Sequence, residues 1–303
     1  MQKTKCLVML IGVILLSFQI FATDHSGTIS SNETWYVGGS PHHITGDLTV
    51  ANGITLTIQA GCTVKFNGDY IFTIYGVLSA NGTSGSHITI TSNAGTPAAG
   101  DWDYIYFNGA DAGCLLNYCD IRYGGLAYGN ILMYNSGTNV VITNSTIEQS
   151  GTAGIYLNNS SSPTISDCII QNNTTYGIYC NSTSSYPDIS DCSILNNGSY
   201  AIATYANNVK DITGTMTISG NTYNSVYIYS ATVYTGTWLD HNVPYVIGGN
   251  ITVDNEDSLT IDPDCEIRFN GNYQLQIQGT LIADGTPSEH ITFTSNLEPQ
   301  NPG

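Results

Sequence analysis

Residues 62–83 read CTVKFNGDYIFTIYGVLSANGT, and residues 265–286 read CEIRFNGNYQLQIQGTLIADGT. A chain that writes one passage twice is built from repeated units, and the unit constrains the fold more tightly than any composition can. The match runs without a gap from 34–93 onto 237–296, an offset of 203 residues. Trp35 falls on Trp238, Pro41 on Pro244, Cys62 on Cys265, Phe66 on Phe269, Gly76 on Gly279 and His87 on His290.

Between the two copies runs a shorter period. NILMYNS begins at Asn130, GIYLNNSSSPTISDCIIQNN at Gly154, GIYCNSTSSYPDISDCSILNN at Gly177, AIATYANN at Ala201 and SVYIYS at Ser225, so successive starts lie 24, 23, 24 and 24 residues apart. Within each unit apolar residues alternate with polar ones in short runs bounded by Gly, Asn, Ser and Pro, which is the pattern of half-buried strands. Three columns hold across the units: Ile131, Ile155, Ile178, Ile202 and Val226; Cys119, Ser145, Cys168, Cys192 and Met216; Ile121, Ile147, Ile170, Ile194 and Ile218. Strands repeated at this period stack on their own copies, so each column becomes a ladder along a solenoid core. The pairs Asn172–Asn173 and Asn196–Asn197, continued by Asn221, suit turns, because Asn accepts the left-handed conformation and its amide can bond its copy one rung away.

The flanking copies follow the same rule, with LTV, LTI, VKF, FTI, VLSA and ITIT about eight residues apart. The expected fold is all-β: a single-stranded parallel β-helix of about 24 residues and three short strands per coil. A β-sandwich, the competing architecture, would not need equivalent residues at a fixed period. At the ~4.8 Å spacing of paired strands, roughly twelve coils would make a rod about 55 Å long. The expected organisation is a signal peptide over 1–22, an entry or cap segment over 23–45, and the β-helix over 46–303.

SPHHITGDLTVANGITLTIQAGCTVKF and VPYVIGGNITVDNEDSLTIDPDCEIRF resemble an opening block of secreted bacterial surface proteins of the pectin-lyase-like superfamily. The resemblance covers essentially the whole chain after the leader. It implies a right-handed helix, in keeping with the handedness of parallel crossovers. That superfamily holds polysaccharide lyases and hydrolases as well as non-catalytic surface proteins, so the resemblance does not choose among them.

The first residues set the expected compartment. Lys3 and Lys5 precede the uncharged run CLVMLIGVILLSFQI, and FA then leads into TDHSGT, a secretory signal cleaved after Ala22. Without 1–22 the chain keeps four basic residues, Lys65, Arg122, Lys210 and Arg268, against 23 acidic ones, a net charge near −19. Such a surface repels nucleic acid and anionic membranes. The expectation is therefore a secreted or cell-surface protein with no nucleic-acid partner and no membrane insertion after the leader is removed. The seven cysteines left are odd in number and lack the spacing of a disulfide scaffold or a zinc site. Cys168 and Cys192 fall on adjacent rungs with side chains pointing the same way, so free buried thiols are expected.

No reaction is written in the sequence. The densest local set is Asp101, Asp103, Asp120 and Arg122; Asp120 and Arg122 alternate with Cys119 and Ile121 and are expected to point outward and pair. Asp103, Asp120 and Arg122 are thus the weak catalytic candidates, short of the carboxylate pair that glycoside cleavage requires. DNED at 254–257 and DPDCE at 262–266 read as solvated turns rather than calcium ligands, and neither a metal nor a cofactor is expected. His87 and His290 share one architectural position, and His42–His43 has no partner legible in the sequence.

Tyrosine is the conspicuous type: 21 residues against seven Phe and three Trp. The outward positions beside the Ile131 column hold Leu132 and Tyr134, Tyr156 and Asn158, Tyr179 and Asn181, Ala203 and Tyr205, and Tyr227 and Tyr229. Rings interleaved with amides on one face can stack on sugars while their hydroxyls and amides hydrogen-bond. The same residues also pair well across exposed strands without any ligand. The expected function is a structural or adhesive surface protein, with polysaccharide or cell-surface glycan as its partner on the tyrosine face. A polysaccharide-active lyase or hydrolase of the same fold is the alternative.

In the first copy HITITSN leads on to AGTPAAGDWDYIYF, whereas in the second HITFTSN leads only to LEPQNPG. Gly303 corresponds to Gly100, the residue before a strand is due. The repeat therefore predicts that the gene continues past Gly303 with an acidic or small residue, a Trp and another alternating strand. The resemblance implies a surface-sorting or anchoring domain beyond.

Overall fold

The computed structural model describes residues 22–296. The expected signal peptide, save Ala22, and the tail on which the continuation was argued lie outside them. Within that range 33 strands follow one another, three to a coil, and all their ladder pairings are parallel. The stack is about eleven coils, slightly fewer than the twelve expected. Some coils are long: Phe72 pairs with Ile105 because the loop around residues 93–103 is spliced between them.

The three columns read from the sequence are the ladders of the core. Ile131, Ile155, Ile178, Ile202 and Val226 are register partners in turn, and each is fully buried. Ile121, Ile147, Ile170, Ile194 and Ile218 form a second ladder, while Cys119, Ser145, Cys168, Cys192 and Met216 line a third buried corner. All seven described cysteines are buried free thiols. Burial pushes Cys119 and Cys265 up to about 12, which leaves them inert fillers at neutral pH.

Three faces result. Face A contains Tyr104–Asn108, Gly129–Tyr134, Ala153–Asn158, Ile178–Cys180, Tyr200–Tyr205 and Tyr223–Tyr229. Face B contains Cys114–Asn117, Val140–Thr143, Thr164–Ser166, Asp188–Ser190 and Ile212–Thr213. Face C contains Thr63–Phe66, Ile88–Ser92, Cys119–Arg122, Thr146–Glu148, Ile169–Gln171, Ser193–Leu195 and Thr217–Ser219.

Left-handed residues make the corners beside face C. Tyr118, Asn144, Asp167, Asp191 and Gly214 precede it with φ from 49° to 66°, and Tyr123, Gln149, Asn172, Asn196 and Gly220 follow it with φ from 54° to 70°. The paired asparagines divide the labour expected of one residue. Asn172 and Asn196 take the left-handed turn, whereas Asn173 and Asn197 point inward and are buried. Gly76 and its copy Gly279 are required by close approach: a Cβ on Gly76 would collide with the carbonyl oxygens of Ala51 and Ile54, and one on Gly279 with those of Asp254 and Asp257.

The entry segment is itself built as strands. Thr23–Ile29 pairs on His42–Val50, and Glu33–Trp35 pairs on Thr55–Gln59, so Thr23–Trp35 supplies the first rung and His42 already begins the second. His42, without a legible partner in the sequence, is hydrogen-bonded to His25 at 3.0 Å, and both imidazoles stack on Trp35.

The second copy does not continue the middle face for face. Val226 pairs with Tyr245, only 19 residues on, and Tyr245–Ile247 is the copy of a face C strand. Face A above thus becomes the counterpart of face C below. Ala231–Val233 and Gly236–Trp238 each start a new three-stranded sheet. The 3-10 turn Ala206–Asp211 packs against both of these strands, Ala231–Val233 and Gly236–Trp238.

Candidate functional site

On face A the alternation that buries the Ile131 ladder turns the intervening side chains outward. Register places Tyr106, Leu132, Tyr156, Tyr179, Ala203 and Tyr227 in one row and Asn108, Tyr134, Asn158 in a second, which Tyr205 and Tyr229 continue. All eight sequence-predicted binding residues, Tyr134, Tyr156, Asn158, Tyr179, Asn181, Tyr205, Tyr227 and Tyr229, are half-buried there. Leu132 and Ala203, in the same row, are buried at 7% and 0% exposure.

The rings touch one another along the rod. Tyr104 meets Tyr128 at 5.6 Å between centroids, Tyr128 meets Tyr156 at 5.3 Å, and Tyr156 meets Tyr179 at 5.0 Å. Tyr179 and Tyr205 both reach Tyr229, which contacts Tyr227; Tyr227 contacts Tyr200, and Tyr200 stacks on Tyr223 at 4.5 Å. Most contacts are edge-on or tilted, as the ring quadrupole favours. The sequence reading missed Tyr104, Tyr128, Tyr176, Tyr200 and Tyr223, which stand at the corner or strand start ahead of the aligned core. Their own spacing, close to one coil or two, was the signal available.

The polar groups are partly spent on holding the rings. Asn181 donates from Nδ2 to the Tyr156 hydroxyl at 2.7 Å and accepts from the Tyr179 hydroxyl at 3.0 Å. Asn158 accepts from the Asn159 backbone N–H at 2.9 Å and so shapes its own turn. Burial raises the phenols of Tyr156, Tyr227 and Tyr229, and burial with Tyr227 alongside pushes Tyr200 up to about 12. These rings stay neutral at physiological pH, and their hydroxyls can both donate and accept.

Two grooves flank the downstream half of this face. One, of about 310 Å³, is lined by Tyr200, Tyr223, Asn224, Ser225, Val246 and Arg268 among others. The other, of about 360 Å³, lies between Tyr205, Tyr186, Tyr234, Asn207 and the Thr183–Ser184 turn. Each sets aromatic walls beside hydroxyls and amides.

The carboxylate set around Asp120 is not assembled. Asp120 and Arg122 do point outward, but they do not pair with each other: Asp120 bonds His87 Nδ1 at 3.1 Å, and Arg122 lies 3.6 Å from Glu148. The next rung on either side supplies a better-placed partner than the i+2 neighbour. Asp103 lies past the corner, where burial and the nearby Asp69 and Asp47 carboxylates raise its pKa, and Asp101 accepts from the Ala98 N–H in its own loop. The acidic turns of the second copy are likewise locally used: Asp254 caps Asn255 N–H and Asp257 accepts from Thr235. Among the described residues no cluster of His, Cys, Asp and Glu is disposed to hold a metal ion, and no helix is long and apolar enough to cross a membrane.

A stack of parallel three-strand coils with one face decorated by contacting rings defines a β-solenoid repeat protein. The family described as the right-handed β-helix region matches residues 78–243, more than half of the chain, and the chain belongs to that family. No curated protein and no solved structure matches it.

Proposed function

We propose that this β-helix is a secreted or cell-surface protein with a structural or adhesive role that binds glycan along its tyrosine face. The observation that carries the reading is the run of touching tyrosines from Tyr104 to Tyr223, bordered by two polar grooves. A rigid row of neutral phenols offers sugar faces a stacking surface at little entropic cost, because the rings already hold one another. The acidic surface around it favours neutral sugars over uronates. The extracellular location rests on the N-terminal sequence and the acidic composition. An array of neutral and acidic glycans, followed by reducing-end and unsaturated-uronate assays on any hit, tests it. Binding without turnover supports this reading; turnover supports the enzyme alternative, and no binding across the panel leaves a structural stalk.

A further inference from the structure

We propose a second site, on face C, that binds a compact oxyanion group through Lys65 and Arg122. It is independent of the tyrosine face. A surface groove of about 500 Å³ is lined there by Thr63, Lys65, Thr89, Thr91, Arg122 and Tyr123, and the loop after Ser92 overhangs it with Ala94 and Pro97. Lys65 is the register partner of Thr91, and Arg122 falls beside Thr91 on the next rung, so the two cations straddle one threonine. At ~4.8 Å per rung their backbones lie roughly 10 Å apart, within reach of one bound anion for side chains this long.

Two surface cations need no ligand, but three features go beyond that. Half of the four basic residues outside the leader line this one groove of a strongly acidic chain. Lys65 has no ion-pair or hydrogen-bond partner for its ammonium among the described residues, and the Arg122 guanidinium has only Glu148 beside it as an ion-pair partner, at 3.6 Å. The repeat supplies an internal control: where the first copy has Thr63 and Lys65, the second has Glu266 and Arg268, joined at 2.8 Å. The second copy neutralises its own cation, whereas the first leaves it open beside threonine hydroxyls. Glu148, 3.6 Å from Arg122, is the internal competitor that an incoming anion displaces in part. The ligand class is a molecule carrying a carboxylate, sulfate or phosphate group, held by charge-assisted hydrogen bonds.

The test titrates sodium sulfate, phosphate and acetate, separately and at constant ionic strength, into the isotopically labelled chain while backbone amides are followed. Saturable shifts at Thr63, Thr89 and Thr91 are expected. Response to acetate points to a carboxylate ligand, and response to sulfate or phosphate alone points to a tetrahedral ester. Lys65→Gln should weaken binding roughly tenfold, in line with the loss of one charged hydrogen bond. Glu148→Gln should tighten it and Arg268→Gln should leave it unchanged, with circular dichroism confirming that each variant is folded. No saturable shift with any of the three anions overturns the proposal, and so does a Lys65→Gln protein that binds like wild type or an Arg268→Gln protein that loses as much.

Discussion

Asn173 donates its side-chain amide to Asn197 Oδ1 across one rung at 2.9 Å, and Asn197 repeats the bond to Asn221 at 2.9 Å. The same oxygens also accept backbone N–H groups, Asn173 N–H to Asn197 Oδ1 and Asn197 N–H to Asn221 Oδ1. Asn197→Ala would leave several of these buried groups unpaired at a cost of about 1–3 kcal/mol each, so we expect a loss near 3 kcal/mol in denaturant unfolding. Asn196→Gly, one residue away at φ 54°, should change stability little, because only the turn conformation is asked of it.

Ile170 and its neighbour Ile169 test the inward and outward register. Ile170 is fully buried between Ile147 and Ile194, whereas Ile169 is 42% exposed. Ile170→Asp should cost several kcal/mol and disrupt local stacking, and Ile169→Asp should be tolerated, as thermal melts of the two variants will report. Equal sensitivity would contradict the register.

The long repeat offers a matched pair. Ile90 is fully buried under the coil that follows, but its counterpart Phe293 is 45% exposed; likewise Ile74 is buried and Ile277 is 38% exposed. In the first copy Trp102 stacks on Phe66 at 4.1 Å, and Phe269 at the same place is only partly covered. In this chain of 303 residues, Ile90→Asp should therefore disrupt folding while Phe293→Asp leaves the melting temperature nearly unchanged.

The first rung should respond to acid. Burial, then the neighbouring His42, lowers the His25 pKa from 6.5 to about 4, and burial lowers that of His42 as well. Unfolded histidines bind protons that the folded pair refuses, so stability is complete above about pH 6.5 and falls as pH drops toward 4. Amide protection of Thr23–Ile29, taken relative to the intrinsic exchange rate at each pH, should fall across that window while Ala153–Asn158 stays protected. Equal protection of both strands from pH 7 to 4 would contradict the assignment.

The ladders, the three-strand coil and the outward tyrosines were legible because period and alternation are local properties, copied five times in sequence. The partners of side chains were not. Asp120 chose His87 and Arg122 chose Glu148, contacts set by which coil lies next rather than by spacing along one strand. The change of frame at Val226 was also hidden, since an ungapped match of 34–93 to 237–296 says nothing about which face the second copy stacks upon. The His25–Trp35–His42 stack escaped for the same reason, because it joins residues that alternate in no common pattern.

Tyr156, Tyr179 and Tyr227 share the outward row of face A on which the proposed glycan binding rests. Replacing all three with Ser should abolish retention of the wild-type protein's glycan in affinity electrophoresis and leave the β-sheet circular dichroism unchanged. A folded triple variant that is retained as strongly as wild type would contradict the account.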